Sequence, residues 1–450
     1  MRFHPAVLML LVWLGCIATF YLLPFQLEGG RVMTLYGFLI LILFIGVFCV
    51  GALSAARPQP QRPRPDNLVV DFALTDRVLM IAGVIAILAS LMDVQGRNLL
   101  DLADAYQVRS DRAGALLAGG QSDSTIWFQI AFLTYPAGYV YIAREVGFRV
   151  RPQLWRLTAF GMGPVLLASL AMGGRAPLLY ALLMVLFGFA LRKQVFPQRV
   201  RPVSGPVRPA NGRPARKPFK LGAPAKVGLG IVGAIALLYF IQVFFARADV
   251  AGGVDSMFGV AGQSWGVNFN GRFSGILFAL FGSDGTYLIF VFSWYMVQGF
   301  VMSNAIFSDY QGGMLLGTYG VDLVGALVRR LNGEFIADGY AELLQMNVYG
   351  FLPSAFGTLF VDLHFFGLLP CLVWGWLAGK VYGKIRQGRD PRWLFVAPFV
   401  TLGVIFSLVN TPIGFSNGFV THIWMITAFL TARVRTHSPG PVPRPKAAVA

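Results

Sequence analysis

Nine arginines stand apart from the other basic residues of this 450-residue chain: Arg31, Arg97, Arg109, Arg112, Arg175, Arg247, Arg272, Arg329 and Arg330. No lysine accompanies them. The other 28 of the 37 Lys and Arg fall in six stretches, 1–5, 54–77, 144–156, 192–226, 380–392 and 433–450. Arginine presents a planar fork that holds phosphate through paired hydrogen bonds, which a lysine ammonium cannot do. An all-arginine set therefore suits a diphosphate headgroup, against the plainer alternative of side chains snorkelling to lipid phosphates. Arg175 is the sharpest case. In Gly173-Gly174-Arg175-Ala176-Pro177 it is wedged between two apolar runs, where a charge is costly unless it faces a polar cavity. Arg247 closes an apolar run with Asp249 close behind, and Arg272 follows Asn268 and Asn270, whose amides suit sugar hydroxyls.

Acid and base chemistry has four candidates: Asp338, Glu342, Asp362 and His364. Asp338 and Glu342 are four residues apart and share a helix face, a spacing that equally describes a solvated face. His364 follows Asp362 too closely to share its face in a helix, so no dyad is implied. His422 is a further histidine near the same surface. Arg329 and Arg330 end an amphipathic run and have Glu334 and Asp338 as ordinary ion-pair partners. No DxD-type acidic pair points to a divalent metal, and no glycine loop followed by lysine points to a nucleotide. We expect neither metal nor cofactor.

The elements that must position these residues are membrane helices. Residues are 56% hydrophobic and 13% charged, against about 25% charged in soluble domains, so a soluble core cannot absorb the apolar surface. The net charge of +17 would suggest nucleic acid in a soluble chain, but here the basic residues sit in short loops between apolar runs. That is the positive-inside asymmetry of an inner-membrane protein, and it excludes a nucleic-acid binder. The acidic residues lean the other way, with 15 of 20 outside the basic stretches. A spanning helix needs about 20 apolar residues. Ten candidates result, near 6–24, 33–53, 77–94, 125–143, 157–173, 176–192, 226–246, 365–383, 393–410 and 416–432. We expect an all-α polytopic fold with both termini cytoplasmic and the first span uncleaved. Cys16, Cys49 and Cys371 all lie in apolar runs without metal or disulfide spacing.

Four regions follow. Residues 1–195 form a six-span half, and 196–225 a basic linker with seven prolines between 196 and 224, expected to be disordered and cytoplasmic. Residues 226–432 form a second half around a large outer loop, 247–364, and 433–450 a cytoplasmic tail. That outer loop is rich in aromatic residues, so it is expected to fold. Its apolar piece from Tyr287 to Phe307 is expected to lie in or dip into the outer interface, where Trp294 and Tyr295 suit. A shorter outer stretch, 95–124, carries Arg109, Arg112 and one amphipathic helix.

One segment resembles a known family. Asn347-Val348-Tyr349-Gly350-Phe351-Leu352-Pro353, then Gly357 to Asp362, Phe366-Gly367, Gly375, Gly379 and Tyr382, resembles the O-antigen and exopolysaccharide repeat-unit polymerases. The GGRAP hairpin resembles that family's Gly-Arg turn, and the spacing of Arg109 and Gly120 resembles its loop pattern. The resemblance covers about 40 residues. It implies a membrane glycosyltransferase joining oligosaccharides carried on undecaprenyl diphosphate at the outer face, with a flippase and a chain-length regulator as partners alongside membrane lipid. Under it, Arg175, Arg247, Arg272, Arg109 and Arg112 hold diphosphate or glycan together with Asn347 and Tyr349. Asp338, Glu342, Asp362 or His364 then serves the acceptor hydroxyl. The rivals are an O-antigen-type ligase and a flippase or exporter. The latter lacks a repeated half, and the charges gather at one surface rather than at midplane.

Overall fold

The computed structural model describes residues 3–55, 68–95, 104, 107, 125–149, 151–172, 174–195, 223–332, 334–415 and 417–436. Most of the 95–124 stretch, with Arg109 and Arg112, lies outside these residues, as do most of the basic linker and the tail.

The chain opens with a helical hairpin, α1 (Pro5–Leu22) and α2 (Leu35–Ala55), joined by a turn over 23–34. His4 caps α1 by accepting the Ala6 N–H on its ring, and Pro5 supplies a preset φ at the first helical position. Neither helix carries a charged residue, so both are apolar all round, as membrane-embedded helices are. After α3 (Ala73–Asp93) come α4 (Ile126–Thr134) and α5 (Ala137–Phe148), two pieces of the single expected span at 125–143. The break falls at Tyr135-Pro136, where proline has no N–H to continue the ladder. α6 (Leu154–Ala171) and α7 (Ala176–Val195) follow, then α8 (Ala223–Val250) and α9 (Val254–Val260).

α10 runs from Gly271 to Asp309 and breaks at Gly282, whose φ of 66° is open to glycine at little cost. Only the second half of the stretch expected to lie in the interface is enclosed: every residue from Val297 to Phe307 is buried, whereas Phe292 and Met296 in its first half are exposed. It packs across the turn-side halves of α1 and α2, with Phe300 against Phe20 and Phe38, Phe307 against Phe44, and the Asn304 amide on the Thr34 backbone. α11 (Asp322–Asn332), α12 (Glu334–Gln345), α13 (Ser354–Leu363), α14 (Leu368–Gln387), α15 (Arg392–Ile405) and α16 (Gly418–Thr431) complete the bundle. Two small antiparallel pairings stitch its ends: β1 (Phe25–Leu27) with β3 (Val267–Phe269), and β2 (Leu68–Asp71) with β4 (Arg433–Thr436).

Among the described residues, seven helical stretches are long and apolar enough to cross a membrane: Pro5–Leu22, Leu35–Ala55, Ala73–Asp93, Leu154–Ala171, Gly233–Val250, Gly271–Asp309 and Ser354–Gln387. Three shorter apolar helices lie at Ala176–Arg192, Arg392–Leu408 and Gly418–Thr431. The chain is a membrane-embedded helical protein. Its most extensive seam joins α2 to α14, where Gly375, Gly379 and Gly383 recur every fourth residue. A Cβ at Gly379 would stand 2.1 Å from the Ala52 carbonyl oxygen, and one at Gly375 2.1 Å from that of Phe48. In an apolar solvent such backbone approach replaces the hydrophobic effect as the cohesive force.

Contacts also gather the basic stretches at one end of the bundle. The His4 ring meets Tyr382 at 4.9 Å, β2 pairs with β4, and Arg392 Nη1 donates to the Ala432 carbonyl. Nearby, Glu145 is fully buried and accepts from Arg144 and Arg149 at 2.8 Å each, Arg144 reaches Asp76 at 2.5 Å, and Arg192 caps the Val146 and Arg149 carbonyls. Removing one partner of such a buried set strands a charge, at about 3–5 kcal/mol.

Candidate functional site

The site grows from the short turn between α6 and α7. The Gly174 N–H returns to the Ser169 carbonyl, and the Tyr239 hydroxyl of α8 lies 3.4 Å from the carbonyls of Ser169 and Gly174. Arg175 is thereby held at the start of α7, the end of a helix that disfavours a cation and favours an anion. Arg247 sits in the last turn of α8, the end that favours one. Both side chains converge on Tyr295 of α10. Arg175 Nη2 donates to its hydroxyl oxygen at 2.8 Å and Arg247 Nη1 at 3.3 Å. The Arg175 guanidinium lies 3.6 Å over the Phe244 ring and 5.0 Å over that of Tyr295, so its orientation is fixed from below as well as from its edge.

Two like charges on one hydroxyl repel, and an anion between them would relieve the repulsion. Burial pushes the Arg175 guanidinium below its usual range; Tyr295 opposes that shift and Arg247 adds to it. Its Nη1 is buried without a hydrogen-bond partner. Arg247 and Tyr295, with Tyr287, Trp265, Met257 and Phe244 among others, line a cavity of about 250 Å³, and Arg175 stands behind Tyr295 and Phe244. The arrangement is able to hold an anionic oxygen cluster at an apolar aromatic wall.

The other expected residues divide. Arg272 is exposed on the first turn of α10; the Asn270 side chain caps its backbone N–H, and Asn268 donates to Glu28. The fold thus brings Arg175 and Arg247 together, with no hydrogen bond or ring contact joining Arg272 to them among the described residues. Three of the four acid–base candidates hold one loop, 310–321. Asp362 accepts the N–H groups of Tyr319 at 3.1 Å and Gly320 at 2.9 Å, Glu342 accepts that of Gln311 at 2.6 Å, and His364 Nε2 lies 2.8 Å from the Gly312 carbonyl. His364 has φ +47° and sits past the end of α13, so it forms no helical pair with Asp362. Asp338 is exposed on α12. His422 is held on its own helix by the Gly418 carbonyl at 2.7 Å. The side chains of Arg329 and Arg330 lie outside the described residues.

Asn347 lends its carbonyl to Arg31 Nη2 at 3.3 Å, and Tyr349 packs 5.8 Å from Tyr340. Two residues emerge that sequence reasoning did not place. Tyr295 gathers the arginines, although its neighbourhood read as interface aromatics. Arg31, one of the nine arginines, is drawn inward, and burial pushes its guanidinium below the usual range while Asp309 opposes the shift. Compared with family models, with curated proteins and with solved structures, the chain finds no significant match.

Proposed function

We propose that the chain is a membrane glycosyltransferase that polymerises undecaprenyl-diphosphate-linked oligosaccharide repeat units into O-antigen or exopolysaccharide. It would act on the outer face of the bacterial inner membrane, crossing it about ten times with both termini in the cytoplasm. A flippase would supply its substrate and a chain-length regulator would share its product. The observation that carries this reading is the convergence of Arg175 and Arg247 on Tyr295 at a cavity wall, with Arg175 Nη1 still lacking an acceptor.

The residues suit the chemistry. An acceptor hydroxyl attacks the anomeric carbon of the donor, the new C–O bond forms, and the bond to the diphosphate breaks with its electron pair on the departing oxygen. Charge therefore develops on the diphosphate, where two preorientated guanidinium groups stabilise it. The hydroxyl proton leaves to a base. With Asp362, Glu342 and His364 engaged by the 310–321 loop, exposed Asp338 is the candidate left for that role.

Deleting the gene and resolving the cell's glycans on a gel tests the reading. Loss of a polymerase leaves single repeat units on the final acceptor. Loss of a ligase strands long chains on the carrier lipid, and loss of a flippase leaves single units facing the cytoplasm. Normal long-chain glycan on its final acceptor would overturn the proposal. Sidedness has its own check: reporter fusions are expected to place Ser204 inside and Gly333 outside, and either one reversed defeats the topology.

A further inference from the structure

Trp294, Gln298 and Met302 follow one another four residues apart on α10 and so share a face. Phe25 and Phe351 flank Trp294, each with its ring centre at 6.5 Å. Two turns along, Arg31 reaches the Met302 sulfur with Nη1 and the Asn347 carbonyl with Nη2, both at 3.3 Å. Gln298 therefore lies between two points of the helix that the 25–31 turn and the 347–351 segment both approach. Along this stretch three buried donors, Trp294 Nε1, Gln298 Nε2 and Arg31 Nε, have no hydrogen-bond partner. Trp294 and Gln298 are 1% and 3% exposed, so bulk water does not serve them. Buried donors left unmade are costly, and three along one helix face call for a molecule that brings acceptor oxygens.

The surroundings narrow its chemistry. Glu28, held by Asn268 at 3.1 Å, and the field of Asp309 on Arg31 set negative charge close by, which disfavours a second anion. Hydroxyl oxygens accept from the three donors and return a proton to the Asn347 carbonyl. Trp265 stacks on Trp294 at 6.2 Å with 14° between the rings, and the same Trp265 lines the cavity beside Arg247. The row of donors thus begins at the wall of that cavity.

We propose that Arg31, Gln298 and Trp294 form a subsite for a sugar ring of an uncharged oligosaccharide, next to the arginine pair and separate from it. The proposal rests on the function proposed above. The probe is the single-repeat oligosaccharide freed by mild acid from the carrier lipid of the deletion strain. It carries no diphosphate, and its binding to the purified full-length protein in detergent is followed by tryptophan fluorescence. The wild type is expected to show saturable quenching. Gln298→Met and Arg31→Gln are each expected to weaken binding about tenfold, the loss of one hydrogen bond to a buried or charged donor. Arg175→Lys should bind as the wild type does. Thermal unfolding identifies any variant that fails to fold, and half-buried Arg31 carries the test if Gln298→Met does so. Affinities unchanged in both folded variants, or binding lost in Arg175→Lys as well, overturn the subsite. Oligosaccharide that does not bind the wild type overturns the subsite alone. A deletion strain with normal long-chain glycan on its final acceptor overturns the polymerase reading and the subsite with it.

Discussion

Arg175→Lys is expected to lose polymer formation nearly as fully as Arg175→Ala, about 100-fold in product per inserted molecule, the scale of removing one preorganised donor from a developing oxyanion. Lysine keeps the charge at this position, so a site that needs only a positive field would tolerate it. Here the guanidinium does three things together. It donates to Tyr295 at 2.8 Å, lies 3.6 Å over the Phe244 ring, and has an Nη1 without a partner. An ammonium has no plane to stack and no second, fixed N–H to offer. Membrane abundance of both variants should match the wild type, because Arg175 stands in a turn between helices and not in a packed seam. The measurement is glycan chain length against protein quantity in the membrane. Lysine restoring wild-type chain lengths would remove the fork from the mechanism and leave only a point charge.

Gly379→Leu is expected to abolish the folded protein itself. The substituted Cβ would stand 2.1 Å from the Ala52 carbonyl oxygen, where ordinary contact begins at 3.4 Å, so α14 must retreat from α2 by more than 1 Å. Retreat opens the neighbouring contacts at Gly375 and Gly51 as well, and overpacking of this kind costs about 3 kcal/mol or more. Survival of the detergent-solubilised protein through a heating series, together with its level in the membrane, reads the effect. Gly383→Leu is the matched control. It lies one turn further on the same helix, yet its nearest atom is 3.9 Å away, and near-wild-type heat survival is expected. A normal unfolding temperature for Gly379→Leu would show that the seam is not what holds the two helices together.

Much of this architecture is legible in the sequence, because a helix in lipid must be apolar over its whole length and every charge within it must be accounted for. The apolar runs, the basic stretches and the wedged Arg175 stand out for that reason. What hydropathy does not distinguish is a helix facing lipid from one enclosed by other helices. Tyr287 to Phe307 therefore reads as interfacial although its second half is buried on every side. The carboxylates mislead for a different reason. Asp362 and Glu342 have the chemistry of a base, and nothing local to them reveals that a loop some 40 and 30 residues earlier presents its N–H groups to them. Glycines 375 and 379 belong to the stretch that resembles a polymerase, yet their evident work is close packing. Tyr295 was hidden because its meaning depends on two arginines distant in sequence.

The pairing of α2 with α14 sets a timetable for biogenesis. Trp13 of the first helix donates to Ser407, 394 residues later, and α2 finds its closest partner only when residues 368–387 have been made. At about 5–20 residues per second of synthesis, the opening hairpin waits roughly 15–70 s in the bilayer before its seam forms. During that interval the small-residue face of α2 lies against lipid or against the insertion machinery. A ribosome stalled before residue 368 thus leaves α2 without its closest partner, and quality control in the membrane would meet that uncovered face first.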